Sequence, residues 1–370
     1  MKTNQLILAA AALVAFAGCT KENLNLNRSN DMDNEIGFNA VTRKATRAND
    51  AIITGATYAH DNTFQVWGWQ SEAGNFSEFA DDDESNFMTD LTISWTKGRD
   101  NTRAEAWRNA ANYYYWPYTG KISFLAVHPS TVAPTSTGWD ATNDKPVAAI
   151  ADYTISAAND STDLMFACAE GARRADALPL TFKHALAQIQ FRVRTDYDYT
   201  LDEVEFKVDS VKINNIDLSG DVTYANDAIS WADNTTQTEA WKYFKTTQVV
   251  AYAATDAAAA LYGHAHVMIP QPKYADDPAT VGTLEGTTIT IGYTMKQKTN
   301  AAISGTVTVA APWAKVKEGA TEYNPAEDIT GWEAGKKYNY TLCFRLNEIN
   351  FDPDVTDWVE VDLQTINILD

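Results

Sequence analysis

Residues 35–48 read EIGFNAVTRKATRA, and the reading of this stretch decides how the chain is organised. Ile36, Phe38 and Ala40 fall on one side of an extended backbone and Glu35, Gly37 and Asn39 on the other, the two-residue period of a strand that buries one face. Directly after it, residues 42–48 are polar, with arginines set among small residues, the composition of an exposed loop that a protease can enter. Two readings follow. One is an ordinary first strand with a polar turn. The other is a removable strand, cut after Arg47 or Arg43, whose loss leaves a sheet edge for another chain to fill.

What precedes the strand indicates a compartment. Lys2 is followed by the apolar run LILAAAALVAFA at residues 6–17, which ends in Gly18-Cys19. Twelve apolar residues are too few to span a bilayer and suit the central part of an export signal. Small residues before a cysteine resemble a bacterial lipoprotein signal, which implies that residues 1–18 are removed and that Cys19 is lipidated and becomes the first residue. Phe16 stands where such signals usually carry an aliphatic side chain, and a plain signal peptide with an incidental cysteine is the other reading. Residues 20–33 are polar and rich in Asn, a tether. Residues 19–47 thus form a tether and first strand ahead of the main body.

Composition limits the rest. Residues 48–370 carry 23 Lys and Arg against 45 Asp and Glu, a balance that repels nucleic acid and disfavours charge-driven binding to anionic lipid. With 45% hydrophobic residues and 11 prolines among 370, the chain is globular. Cys168 and Cys343 lie in apolar strand-like runs, where two buried thiols are the simpler state and a disulfide requires that they be adjacent.

Along the chain the pattern is β nearly throughout. FQVWGW at residues 64–69, KISFLAVH at 121–128, DLMFA at 163–167 and LPLTFKH at 178–184 form a first series; residues 129–146 read as a long surface connection. QIQFRVRT at 188–195, VEFKVDSVKINNI at 204–216, HVMIP at 266–270, TTITIGYTM at 287–295, ISGTVTV at 303–309 and KYNYTLCFRL at 337–346 form a second. Only DAAAAL at 256–261 has helix propensity, and it is barely two turns. Two successive sets of antiparallel strands imply an all-β chain of two tandem β-sandwiches, at residues 48–186 and 187–370.

Catalytic readings are weak. His264 and His266 share a strand face but have no third ligand nearby, and His184 has no Ser or Cys in a nucleophile turn beside it. The acidic loop at 81–84 lacks the glycine and closing glutamate of a calcium loop. No phosphate loop or HExxH appears. The expectation is a non-enzymatic chain without cofactor or metal. Trp67, Trp69, Trp95, Trp107, Trp116, Trp139 and Trp231 raise the reading of a glycan-binding surface; Trp107 and Trp139, in polar segments, are its best candidates.

Several segments in order, namely Tyr115-Trp116-Pro117 before KISFLAVHP, then DLMFA, LPLTFKHALAQIQFRV at 178–193, MIPQ at 268–271 and WEAGKKYNYTL at 332–342, resemble the fimbrillin family of Bacteroidetes, lipoprotein-derived pilus subunits. The resemblance implies transthyretin-like sandwiches in tandem, export to the outer membrane through lipid on Cys19, and cleavage by an arginine-specific protease at Arg47-Ala48, with Arg43-Lys44 as second candidate. Ile36, Phe38 and Ala40 would then leave a groove, and the C-terminal strand of another copy or a related subunit would fill it, building an extracellular fimbrium. The donor would be VEVDLQTINILD at 359–370. Val359, Val361 and Leu363 share one face, and after a slip at Gln364-Thr365 Ile366 and Ile368 take over. The tail read simply as the chain's own last strand is the alternative, and an anchored lipoprotein binding a glycan or host ligand without polymerising is the alternative function.

Overall fold

The computed structural model describes residues 34–42, 58–98, 104–155, 162–232, 241–244, 246–270, 283–298, 300–312, 332–345 and 349–357. Cys19, Arg43, Lys44, Arg47, Ala48 and the tail residues Val359, Val361, Leu363, Ile366 and Ile368 lie outside the described residues. Among the described residues the architecture is all-β, in four sheets, one of which closes on itself.

The closed sheet has seven strands in the order β1 (Phe38–Thr42), β4 (Ala106–Arg108), β3 (Met88–Thr96), β2 (Phe64–Ser71), β5 (Lys121–His128), β8 (Met165–Gly171) and β9 (Leu178–His184). Closure differs from the open sandwich that alternating strands imply. Its cause is β1, which pairs antiparallel with β4 at one side and parallel with β9 at the other. Inside the ring lies a core that includes Phe38, Phe64, Val66, Phe124, Ala126 and Phe182.

The segment KISFLAVH is apolar on both faces because both are covered. Phe124 and Ala126 point into the ring, whereas Leu125 and Val127 belong to a second core with Trp67, Trp69 and Trp139. A four-stranded sheet covers that outer face: β6 (Ser136–Asp140), β7 (Lys145–Thr154), β12 (Ser219–Ala225) and β13 (Ala228–Trp231). Residues 129–146 are therefore more than a connection, since they include β6, which pairs with the start of β7. The covering sheet also mixes the two strand series, because β12 pairs antiparallel with β7 at Gly220↔Tyr153 and Val222↔Ile150.

Beyond residue 186, β16 (Ala260–Met268), β10 (Ala187–Thr195), β19 (Lys336–Phe344) and β20 (Ile349–Asp357) form one sheet. The other contains β14 (Trp241–Phe244), β11 (Val204–Asn214), β17 (Thr283–Gln297) and β18 (Ile303–Pro312), with β15 (Gln248–Val250) also on β11. Ile189, Phe191, Val208, Val211, Ile291 and Leu342 fill the core of these sheets. The helix-forming stretch 256–261 yields a single 3-10 turn at Asp256–Ala258 before β16 begins, as too short a helix would. Cys168 and Cys343 are both free thiols.

One end of the ring holds buried polar groups. Tyr58 Oη lies 2.5 Å from His128 Nδ1, and His184 Nδ1 lies 2.5 Å from Asp163 Oδ2. Burial holds the His128 imidazole below its ordinary value of 6.5 and outweighs the Thr63 carbonyl and the charge of Asp163, which act the other way. The sign follows. Above pH 6.5 the ring is neutral folded or unfolded; below it the unfolded chain takes up a proton that the folded chain does not, so stability falls. Urea titrations should show a loss of up to about 1.4 kcal/mol per pH unit below that point, reduced in His128→Gln. Equal slopes in both proteins would count against it.

Candidate functional site: the place of the first strand

The first strand sits in the wall of the ring and its side chains alternate as the period demands. Ile36, Phe38 and Ala40 are 3%, 1% and 1% exposed, and Asn39 faces solvent. Phe38 meets Phe124 edge-on at 5.1 Å and Phe64 at 6.2 Å between ring centroids. Such contacts add to the ~1.5–3 kcal/mol gained by burying each large apolar side chain. Ile36, Phe38 and Ala40 thus share one core, that of the ring.

The backbone is held on both sides. Residues 34–36 run antiparallel to 114–116, with Ile36 N donating to Tyr114 O at 2.7 Å and Trp116 N to Asn34 O at 2.8 Å. From Phe38 onward the strand lies parallel to β9 in a five-residue register, Phe38↔Leu178 to Thr42↔Phe182. The strand β9 meets β8 only at Met165↔His184 and Phe166↔Lys183, so at its Leu178 end β1 is its main partner. Without β1, β4 and β9 become edges facing each other across an apolar slot.

Alternation misplaces two residues. Glu35 and Gly37, expected on the solvent side, are both buried. Glu35 Oε1 stands 3.7 Å from Arg108 Nε, with side chains only 3% and 8% exposed. The same guanidinium donates through Nη1 to Thr96 O at 3.2 Å and Ala104 O at 3.0 Å. At Gly37 a Cβ would come within 3.2 Å of Arg108 Nε and 3.3 Å of Ala106 Cβ, so this position lets β1 approach the arginine closely. Period-two alternation carries no signal for this pair, because it depends on which strand lies opposite.

Other candidates resolve differently. Trp107 and Trp139 are 2% and 1% exposed, members of the ring core and the covering-sheet core, and offer no face to a sugar. Polar flanks conceal their burial, since each sits on a short strand between loops. The rings of His264 and His266 are 4.1 Å apart, but among the described residues no cluster of three or more metal-ligating side chains occurs. Carboxylates of the acidic loop cap backbone: Asp81 Oδ1 accepts from Ala141 N and Asp83 Oδ2 from Ala80 N.

A family model described as fimbrillin-like matches residues 46–358. The chain belongs to the fimbrillin-like family. A fimbrial protein from Bacteroides vulgatus has a similar fold, with TM-score 0.58 and 16% identity over 88% of this chain and 100% of that one. More distant are a candidate cell adhesion protein from Bacteroides uniformis, with TM-score 0.43 and 16% identity over 88% and 99% of the two chains, and a C-terminally truncated tip fimbrial protein, Mfa3, from Porphyromonas gingivalis, with TM-score 0.35 and 8% identity over 80% and 94%. No curated protein matches.

If this fimbrillin-like ring depends on Phe38 for its core, Phe38→Ala in the uncut chain should lose about 3–5 kcal/mol in urea unfolding. A loss below about 1 kcal/mol would show that the slot collapses around the vacancy.

Proposed function

We propose that this fimbrillin-like protein is a structural subunit of a bacterial surface fimbria, assembled by proteolytic removal of β1 and insertion of a strand from a neighbouring subunit. The observation that carries the proposal is that five residues, Phe38–Thr42, complete a seven-stranded ring and are followed at once by the basic run 43–47. A strand essential to closure sits where a single cut would detach it. The family match, beginning at residue 46, lies wholly past β1, which supports a body distinct from this strand.

In this proposal the chain is exported with residues 1–18 as signal, anchored in the outer membrane by lipid on Cys19, and cut by an arginine-specific protease at Arg47-Ala48 or, second, Arg43-Lys44. The body then comprises residues 48–370, the opened ring with its covering sheet followed by the two sheets that begin with β10, in the extracellular fimbrium. The donor is the tail with Val359, Val361, Leu363, Ile366 and Ile368. Replacement exchanges like for like. Lost ladder bonds, each worth a net ~0.5–1.5 kcal/mol, are remade by the incoming strand, and head-to-tail repetition without closure makes a filament. No enzymatic step by this chain is part of the proposal. A host or glycan ligand, if the fimbria meets one, lies beyond the slot.

Protein sheared from cells should begin at Ala48 or Lys44 by mass and run as a ladder of SDS-resistant oligomers. Lipidated Cys19 throughout, on a monomer retaining β1, would support an anchored binding lipoprotein instead. Deleting residues 365–370 should leave the fold intact, by circular dichroism, and shorten or abolish polymer. Polymer of unchanged length would remove the tail from the donor role.

A further inference from the structure

We infer that the loop between β8 and β9, residues 172–177, is a second cleavage site for the arginine-specific protease, closed to it while the slot is filled and open while the slot is empty. The inference rests on the strand-removal reading and adds to it a check on whether removal has been followed by replacement.

Residues 171–178 read GARRADAL. The loop itself carries neither strand nor helix, and Ala172, Arg173, Ala175 and Asp176 are exposed. Arg108, Arg192 and Arg194 lie on strands, and Arg345, at the end of β19, is paired with Asp196 at 2.6 Å, whereas Arg173 and Arg174 stand together in this loop. In the closed ring both side chains are laid against the body. The Arg173 guanidinium lies 5.2 Å from the centre of the Tyr118 ring, and Arg174 Nε is buried. A protease needs the arginine free and several residues around it extended, so the loop must first lift away.

What holds the loop down is the segment that the first cut releases. On the β9 side, Leu178 N donates to Gly37 O at 2.8 Å, and the ladder from Phe38↔Leu178 to Thr42↔Phe182 continues from there. On the β8 side, Trp116 closes over Gly171, where a Cβ would come within 2.6 Å of Trp116 Cη2 and 3.0 Å of Leu178 Cδ1. Trp116 N in turn donates to Asn34 O at 2.8 Å. Without residues 34–42 both bonds are lost. Strand β8 keeps its pairing with β5 as far as Ile122↔Gly171, but β9 meets β8 only at Met165↔His184 and Phe166↔Lys183, remote from the loop. The β9 stem is therefore the one that comes loose.

In the lifted loop, water adds across the peptide bond after Arg173 or Arg174, leaving a carboxylate on the arginine and an amine on the next residue. The nick parts β8 from β9 and breaks the wall of the ring. An incoming strand that bonds Leu178 N and Trp116 N keeps the loop closed. The protease that opens the slot thus also removes subunits whose slot stays empty.

The test uses the full chain with residues 43–47 replaced by an arginine-free recognition sequence for a site-specific protease. After that cut the N-terminal fragment is removed by gel filtration, and its departure is read by mass. A limiting amount of an arginine-specific protease is then added, and products beginning at Arg174 or Ala175 are followed by mass spectrometry. The emptied protein should yield them at least about ten-fold faster than the uncut chain, because proteolysis tracks the population of the open form. An excess of a synthetic peptide of residues 34–42 should bring the rate back to that of the uncut chain. Cuts after Arg192 and Arg194, on β10 outside the ring, should stay slow throughout. Equal rates in uncut and emptied protein, no protection by the peptide, or equal acceleration on β10 would each overturn the gated loop while leaving strand removal standing. A fragment that cannot be separated from the body would overturn strand removal itself, and the gate with it.

Discussion

The closure of the seven-stranded sheet through β1 is the constraint on which the first half of the molecule depends. A sheet closes only when its last strand finds partners on both sides, and here that strand is a five-residue segment bonded antiparallel to β4 and parallel to β9. The apolar side chains that it and the residues just before it contribute, Ile36, Phe38 and Ala40, join a core built otherwise from residues between 58 and 182. A locally short element thus has a long-range role. Its loss would simultaneously open two edges and uncover aromatic rings, a consequence far larger than its length.

Strands buried on one face, or on both, were legible because burial imprints a period or a run. LPLTFKH and KISFLAVH correspond residue for residue to β9 and β5, and the alternation at Ile36, Phe38 and Ala40 corresponds to the buried face of β1. Hydrophobic period does not report how sheets close. The ring, the parallel pairing of β1 with β9, and the return of β12 to β7 are long-range pairings that leave no mark within either partner. Short strands were missed for a related reason: β4 has three residues, and β6 has one large apolar side chain, Trp139, in five, so neither shows a period. Strand β20 carries Pro353, which argues against a central strand, and it occupies the edge of its sheet, where proline is tolerated.

The candidate site was half legible. Its apolar part follows from alternation, whereas its charged part, Glu35 against Arg108, contradicts alternation and emerges only when β1 and β4 are brought together. Both residues come from segments with polar neighbours, so composition favours exposure for each. Tryptophans 107 and 139 teach the same lesson from the apolar side. Polar flanks describe the loops around a residue, not the direction in which its side chain points.

The passage between the two strand series also has a mechanical consequence. Ala185 N is bonded to Leu164 O, Gly335 N to Leu186 O, and the Trp231 indole to Ala185 O, so the connecting segment is tied to three other parts of the chain. The ladder between β7 and β12 spans the same junction. Pulling the halves apart must first break these bonds together, where a bare linker would simply straighten. Any force separating the two strand series therefore meets three hydrogen bonds and a strand ladder before the connecting segment can extend.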